Sequence, residues 1–308
     1  MSSIARRLLM LAMATAEPVP LTASILTGSW DSSVHKLDEQ GNFVWSFGIS
    51  EGHRVWGVAA DSLGHFYVTD DDGGLLYKLT HDGFVEWTHA TTSRARSVAT
   101  FDSSRVYVAA SSQIHALDAS DGSLLWIFAA AHRVDSLDTD DAGNVYATTS
   151  RGHLYKIDPT GAQVWLEEYE LQSFLIGYGY LTVKDGYIYT SQGPNRGDVY
   201  ALDAADGSLL WTYSGHGDSP VLGFAADGQR VFTSGRTTTG VHAIDAATGT
   251  LLWIYTGHTA DIRGLATDGE RVYTGSDDDE AHALDASDGS LLWTYSGHAG
   301  RVRTVAVG

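Results

Sequence analysis

The stretch His115-Ala-Leu-Asp-Ala-Ser-Asp-Gly-Ser-Leu-Leu-Trp126 decides the fold, because it returns almost unchanged in three later copies and in weaker form in three more. Every copy ends in a tryptophan, and the successive spacings are 42, 39, 39, 46, 42 and 40 residues for Trp45, Trp87, Trp126, Trp165, Trp211, Trp253 and Trp293. Self-similarity at a period of some forty residues indicates a repeat architecture rather than a single irregular core.

Each repeat has the pattern of four short strands. In the last full repeat we predict strands over 262–267, 271–275, 280–285 and 291–296, filled with aromatic and β-branched residues. Asp268-Gly269 separates the first two strands and Asp288-Gly289 the last two, which is the turn chemistry of hairpins. Four strands per repeat at this period are typical of the blades of a β-propeller.

The two ends of the chain predict how the ring closes. The first repeat has only three predicted strands, near 24–28, 34–38 and 43–48, and the chain ends in a lone strand over 301–307. Adding that strand to the first blade would complete it and protect its edge. We therefore predict an all-β fold, a single seven-bladed β-propeller of four-stranded blades over 23–308, closed by the C-terminal strand.

Residues 1–22 precede the predicted propeller. They contain Arg6-Arg7, nine uncharged residues over 8–16 and then Glu17-Pro18. We expect an arm that docks on other protein subunits, and the alternative is a short secretory leader. No apolar run of the chain approaches the ~20 residues of a membrane span, so none is expected.

The charge is strongly and unusually acidic. The formal net charge is −19, with 29 Asp against 9 Glu and 15 Arg against 4 Lys. We expect a protein from molar salt, where ions screen this self-repulsion, from an extreme halophile or its virus. Nucleic acid is not an expected partner, since neutralising phosphates requires a basic surface. The absence of cysteine from the sequence excludes thiolate sites.

The pattern Ala-x-Asp-x-x-Asp/Thr-Gly-x-x-x-Trp, at 116–126, 201–211, 243–253 and 283–293, resembles the tryptophan-docking repeat of the pyrroloquinoline-quinone-like propellers. The resemblance implies that each tryptophan packs between neighbouring blades. Relatives include quinone-dependent dehydrogenases and outer-membrane assembly lipoproteins. The dehydrogenases typically have eight blades and a vicinal cysteine pair, and the lipoproteins are anchored through a cysteine. Since this sequence has no cysteine, no cofactor is expected, and neither role transfers directly.

A second resemblance, to WD repeats, comes from Gly-His pairs before the first strand of several blades. In that family such a histidine pairs with an aspartate in the turn after the second strand. The resemblance implies structural braces that pair His298 with Asp31, His53 with Asp70, and His258 with Asp277. No metal role is expected for them.

Arginines gather where the innermost strands begin. Aligned first strands place seven of the 15 arginines and one tryptophan at one mouth of the central channel: Arg54, Trp56, Arg94, Arg96, Arg133, Arg263, Arg301 and Arg303. One interpretation is a recognition face for an anionic ligand or surface glycan, because guanidinium offers a planar fork. The other is that the arginines pair with Asp135, Asp261 or strand-end carbonyls and neutralise a crowded axis. The acidic turns at 70–72 and 277–280 are expected to be solvated, and the alternative is a weak cation site.

The longest interval, between Trp165 and Trp211, contains an aromatic segment that departs from the repeat. We expect Phe174, Tyr178 and Tyr180 to contact a partner or line the channel mouth. The sequence has no His-Glu-x-x-His, Gly-x-Ser-x-Gly or Gly-Lys-Ser/Thr motif.

Together these features favour a non-catalytic binding or scaffold module. We expect an extracellular subunit, structural or receptor-facing, of a large assembly such as a virion tail. One alternative is a secreted chaperone-like propeller of the cell envelope. Another is a quinone-dependent or other enzyme at the channel mouth.

Overall fold

The computed structural model describes residues 23–91, 93–168, 180–191, 197–236 and 240–308. Within them the chain forms seven antiparallel four-stranded sheets and no helix. This confirms the predicted all-β fold of seven four-stranded blades. No helix in the described ranges is long and apolar enough to cross a membrane.

The strands follow in chain order, with blade 1 taking its innermost strand from the C-terminus. Blade 1 contains β1 (Ile25–Ser29), β2 (Ser33–Leu37), β3 (Phe43–Gly48) and β28 (Val302–Val307). Blade 2 contains β4 (Val55–Ala60), β5 (Phe66–Asp70), β6 (Leu75–Leu79) and β7 (Val85–Ala90). Blade 3 contains β8 (Ala95–Phe101), β9 (Arg105–Ala110), β10 (Gln113–Asp118) and β11 (Leu124–Ala129). Blade 4 contains β12 (Val134–Thr139), β13 (Val145–Thr149), β14 (His153–Ile157) and β15 (Gln163–Glu168).

The remaining three blades have the same order from inside to outside. Blade 5 contains β16 (Leu181–Lys184), β17 (Tyr187–Ser191), β18 (Val199–Asp203) and β19 (Leu209–Tyr213). Blade 6 contains β20 (Val221–Ala226), β21 (Arg230–Gly235), β22 (Val241–Asp245) and β23 (Leu251–Tyr255). Blade 7 contains β24 (Ile262–Thr267), β25 (Arg271–Ser276), β26 (Ala281–Asp285) and β27 (Leu291–Tyr295).

The ring closes as predicted from the sequence. Strand β28 pairs antiparallel with β1, and Ile25 lies opposite Val307. Beyond the strand ends, the amide of Ser24 donates to the carbonyl of Gly308 at 2.8 Å, and the amide of Gly308 donates back at 3.0 Å. Blade 1 therefore takes its inner strand from one end of the propeller sequence and three strands from the other.

The tryptophans of the repeat dock on the following blade. The indole Nε1 of Trp211, on β19, donates to the carbonyl of Ala246 at 3.0 Å, and its ring lies against Gly249 in blade 6. Equivalent indole bonds run from blade to blade, the acceptors being the carbonyls of His81, Ala119, Pro159, Ala246, Ala286 and Glu39. Trp165 makes no such bond within the described residues. These bonds therefore connect six of the seven blades to the next blade around the ring.

The apolar core lies between blades rather than inside one. Five tyrosines are almost fully buried at the same place on the second strand of a blade: Tyr67, Tyr107, Tyr146, Tyr189 and Tyr273. The centroid of each tyrosine ring lies about 6 Å from that of the repeat tryptophan in the same blade, for example 6.0 Å between Tyr273 and Trp293. Aromatic pairs at this distance add to the stability gained by burying their area.

Candidate binding site at the channel mouth

The seven inner strands surround a cavity of about 150 Å³ on the propeller axis. Each blade contributes a residue near the start of its inner strand, namely Trp56, Arg96, Asp135, Tyr180, Gly223, Arg263 and Arg303. Trp30, in the turn after β1, completes the wall. The sequence alignment thus placed Trp56, Arg96, Arg263 and Arg303 together correctly, and missed Trp30.

Two aspartates hold the arginines of the wall, the fully buried Asp71 and the largely buried Asp277. Arg96 Nε donates to Asp71 Oδ1 at 3.1 Å, and Arg263 Nε donates to Asp277 Oδ2 at 2.9 Å. Arg303 Nε lies 2.7 Å from the other oxygen of Asp277. Asp71 and Asp277 follow the second strand of their blades, so their turns bring carboxylates back to the axis.

The other predicted arginines form an outer rim around this wall. Arg54 forms ion pairs with Asp71 and Asp72 at 3.2 and 2.8 Å, and Arg94 lies 3.7 Å from both. Arg133 Nε donates to Asp135 Oδ1 at 2.7 Å, and Arg301 lies 3.9 Å from Asp277. The side chains of Arg94 and Arg301 are more than half exposed.

The interpretation in which the arginines pair with aspartates is therefore confirmed for part of the cluster, and the recognition face stays a prediction. Eight arginines, with Arg236 added to the predicted seven, face five aspartates within 4 Å: Asp71, Asp72, Asp135, Asp261 and Asp277. The aspartates neutralise most of these arginines, and the arginines outnumber the aspartates that contact them by eight to five. More than half of the 15 arginines of a protein of net charge −19 therefore lie at this mouth.

Burial and neighbours shift the charges of the wall. Burial, together with the like charge of Arg263, lowers the pKa of Arg303 to about 10 against the opposing effect of Asp277. Burial raises the pKa of Asp135 although Arg133 opposes the shift. The guanidinium groups remain charged at neutral pH, so ion pairs with the aspartates hold the wall together. Burying these charged groups costs free energy of desolvation.

Two tryptophans lie among the arginines. The guanidinium carbon of Arg303 lies 3.8 Å from the ring centroid of Trp30, and that of Arg96 lies 4.8 Å from that of Trp56. The two indole centroids are 5.7 Å apart. Cation–π contacts of this kind hold guanidinium planes in fixed orientations.

The acidic turns are solvated only in part, because Asp72 is exposed and residues 277–280 are half-buried. Asp70 and Asp71 are fully buried. Asp70 receives a hydrogen bond from His53 Nδ1, while Asp71 and Asp72 bind the arginines of the mouth. The reason is that the turn between the second and third strands folds over the start of the inner strand.

Two of the three predicted histidine–aspartate pairs are present and the third is wrong. His298 Nδ1 lies 3.1 Å from Asp31, and His53 Nδ1 lies 2.9 Å from Asp70. His258 pairs with Asp278, at 2.9 Å, and not with Asp277. The amide of Asp277 bonds to the carbonyl of Asp261, as that of Asp71 does to Arg54. This backbone bond directs the side chain of Asp277 to the channel, so Asp278 is the residue that pairs with His258.

Three blades contain a stacked histidine pair that the sequence did not reveal. Their ring centroids lie 3.7–3.9 Å apart and their planes within 13°, in the pairs His35–His298, His216–His242 and His258–His282. In each pair, Nε2 of the histidine from the Gly-His sequence contacts a threonine hydroxyl. Burial lowers the pKa of His216 to about 3 and that of His35 to about 4. Two features of the sequence could have indicated these pairs. A histidine recurs at the same position of β22 and β26, and a tyrosine precedes each Gly-His of these blades.

One group of metal-type side chains occurs among the described residues, formed by His258, Glu280 and His282. Its histidines stack face to face, and their nitrogens contact Asp278, Thr274, Tyr255 and Glu280. Parallel rings do not direct two lone pairs at one point, so this group fits a hydrogen-bonded brace better than a metal site.

The predicted partner loop is only partly visible. Phe174 and Tyr178 lie outside the described residues. Tyr180 is half-buried, accepts a hydrogen bond at its carbonyl from the Thr190 hydroxyl at 3.0 Å, and lines the cavity. Tyr180 was expected either to contact a partner or to line the channel mouth, and its position matches the second role.

A family model described as outer membrane protein assembly factor BamB, built of quinone-type repeats, matches residues 30–173, 150–265 and 195–307. The chain belongs to this family. Among solved structures, the computationally designed protein Ika8 is similar at a TM-score of 0.69 and 20% identity, over 91% of this chain and 86% of that one. BamB from Moraxella catarrhalis has a TM-score of 0.58 and 22% identity, over 92% and 86%. No curated protein sequence matches the chain.

Proposed function

We propose that this propeller is a non-catalytic binding and scaffold subunit that contacts other proteins through its outer perimeter. One observation carries the proposal. The outer strands expose large apolar side chains directly before the docked tryptophan, such as Leu251 and Leu252, which are 44% and 49% exposed. The same feature recurs at Phe43, Val44, Val85, Leu124, Leu125, Val164, Leu209, Leu210, Leu291 and Leu292. Extended apolar surface of this kind marks interaction sites.

The channel wall supports the non-catalytic part of the proposal. The one carboxylate among the described residues of the cavity wall is Asp135, whose Oδ1 is bonded to Arg133. The arginines of the wall bind and orient, and their high pKa makes them poor bases.

The wider setting follows from composition. An excess of Asp over Glu, few lysines and a net charge of −19 suit a protein that works in molar salt. We therefore place the subunit in an extracellular assembly of a halophilic organism or of its virus, with a virion tail as one example, and assign residues 1–22 to docking.

Sedimentation of native source material in molar salt tests this assignment. Mass spectrometry of the pellet identifies the chain and its N-terminus. We expect the chain to pellet with large particles and to retain residues 1–22. A chain found only in the supernatant, at the sedimentation rate of a monomer, would contradict the proposal.

A second candidate is an assembly factor of the cell envelope, and the family match favours it, since the model is described as an outer membrane protein assembly factor. This role predicts that residues 1–22 are a leader. An N-terminus near Glu17 in the same mass spectra, with the chain in the envelope fraction, would support the second candidate over the first.

A further inference from the structure

The cavity on the propeller axis has the dimensions of a small-molecule site. Its volume is about 150 Å³, and all seven blades contribute to its wall. An apolar cavity of about this volume is large enough for benzene. The space therefore suits a molecule of a few heavy atoms and not a folded partner.

One side of the wall has more positive than negative charge. Arg263 and Arg303 both direct Nε at the single carboxylate of Asp277, at 2.9 and 2.7 Å. Their side chains are only 15% and 11% exposed, so bulk water screens their repulsion weakly. Asp261 contacts Arg263 at 3.1 Å, while Arg236 and Arg301 lie 3.8 and 3.9 Å from Asp261 and Asp277. Four arginines therefore share two carboxylates on this side, and a bound anion would offset the charge that the two carboxylates leave uncompensated.

The wall also has a buried donor without a hydrogen-bond partner. Among the described residues, Trp30 Nε1 makes no hydrogen bond although the atom is buried. Arg303 Nε differs, because Asp277 Oδ1 already lies 2.7 Å from it. Buried donors without acceptors are rare in proteins and mark places where a small molecule or ion belongs.

The carboxylates around the cavity restrict the charge of the anion. Asp135 faces the cavity, and Asp71 and Asp277 lie directly behind its arginines. These carboxylates repel a dianion more strongly than a monoanion. The planar faces of Trp30 and Trp56 suit a flat, weakly hydrated group. A carboxylate meets both conditions better than sulfate or phosphate.

We infer that this cavity is a binding site for a small organic monocarboxylate, with its carboxylate on Arg263 and Arg303 beside Trp30 and its apolar body toward Trp56. The site is independent of the outer perimeter and goes beyond the scaffold role. The carboxylate could also belong to an acidic side chain of a partner, and the experiment separates these two sources.

Isothermal titration calorimetry on the purified full chain, at constant ionic strength and chloride, tests the inference. The probes are acetate and propionate, sulfate as the dianion, and a short glutamate-rich peptide. We expect saturable binding of one monocarboxylate per chain and none of sulfate. Arg303→Gln removes a charged donor and should weaken binding roughly tenfold or more.

Arg94→Gln is the matched control for Arg96→Gln. Both arginines contact Asp71, but Arg94 is 55% exposed and does not line the cavity. We expect Arg96→Gln to weaken propionate binding and Arg94→Gln to leave it unchanged. If Arg303→Gln fails to fold, Arg303→Lys retains the charge without the fork and should still bind more weakly than the native chain.

Three results would overturn the inference. They are the absence of saturable heat with either monocarboxylate, equal losses in Arg94→Gln and Arg96→Gln, and binding of the peptide alone. The last would assign the cavity to a partner's acidic side chain. Because the purified chain is used without any partner, a negative result leaves the scaffold proposal standing.

Discussion

At the scale of single residues, one turn position decides whether a side chain faces the axis. Trp30, Asp71 and Asp277 occupy the same place after the second strand, and the amide of each bonds to the carbonyl at the start of the inner strand. Two of these residues hold arginines and the third stacks on one. The mouth of the channel is therefore built by turns as well as by inner strands.

Glycines beneath the docked tryptophans set a close approach between blades. Gly249 has φ +72°, and a Cβ there would lie 2.9 Å from the ring of Trp211. Gly269 also has a positive φ, +91°, but a Cβ there would meet nothing within 4 Å. Both alanine substitutions incur backbone strain, but only Gly249→Ala crowds the tryptophan. We expect it to lower the free energy of unfolding by about 1–3 kcal/mol more than Gly269→Ala.

Chemical denaturation of the two alanine variants in molar salt measures this difference. Gly269→Ala is the matched control for the left-handed backbone. Equal losses of stability would show that the tryptophan contact does not restrict the position.

Buried histidines make stability depend on pH. Burial, with the neighbouring His242, lowers the pKa of His216 from 6.5 to about 3. The folded chain then binds fewer protons than the unfolded chain, so this contribution is complete above pH 6.5 and declines as the pH falls toward 3. The decline is about 1.4 kcal/mol per pH unit for this group. Hydrogen bonding to Asp70 raises the pKa of His53, which opposes the trend.

Denaturation midpoints between pH 7 and pH 4 test this dependence. We expect stability to fall as the pH decreases, and His216→Gln to reduce the slope because it removes one titrating group. Parallel slopes for the native chain and His216→Gln would contradict the assignment. Below pH 4 the carboxylates add to the loss, since hydrogen bonds from His298 and Ser33 hold the pKa of Asp31 low despite its burial.

At the scale of elements, the repeat allowed the strands to be predicted to within a residue or two. Predicted strands over 262–267 and 271–275 correspond to β24 (Ile262–Thr267) and β25 (Arg271–Ser276). Turn residues and tryptophan spacing determine these strand bounds locally.

The stacked histidines, and the pairing of His258 with Asp278 in place of Asp277, were not predictable in this way. They depend on how separate strands and turns meet in space.

Strand β28 (Val302–Val307) is the element on which closure depends. Deleting residues 301–308 removes the inner strand of blade 1 and exposes an unpaired edge on β1. We expect the truncated chain to lose cooperative unfolding and near-ultraviolet circular dichroism. A peptide of residues 299–308 should restore both, because binding only the folded state stabilises it. A scrambled peptide is the control, and a truncated chain as stable as the native one would contradict closure.

At the scale of the whole molecule, net charge controls stability through salt. A charge of −19 on 308 residues repels itself at low ionic strength, and the Debye length falls from about 30 Å at 0.01 M to about 3 Å at 1 M. We expect Tm to rise between these salt concentrations. Sucrose at matched osmolality separates screening from solvent exclusion. A Tm that does not change with salt would contradict the halophilic setting.

The central claim, that the propeller is a scaffold subunit contacting proteins through its perimeter, is tested most directly by cross-linking mass spectrometry of native material in molar salt. The chain has only 4 Lys but 38 acidic residues, so a carboxylate-reactive cross-linker is appropriate. The account predicts links to other proteins from exposed acids beside the outer strands, such as Asp121, Asp206 and Asp288. Links confined to the chain itself would contradict it.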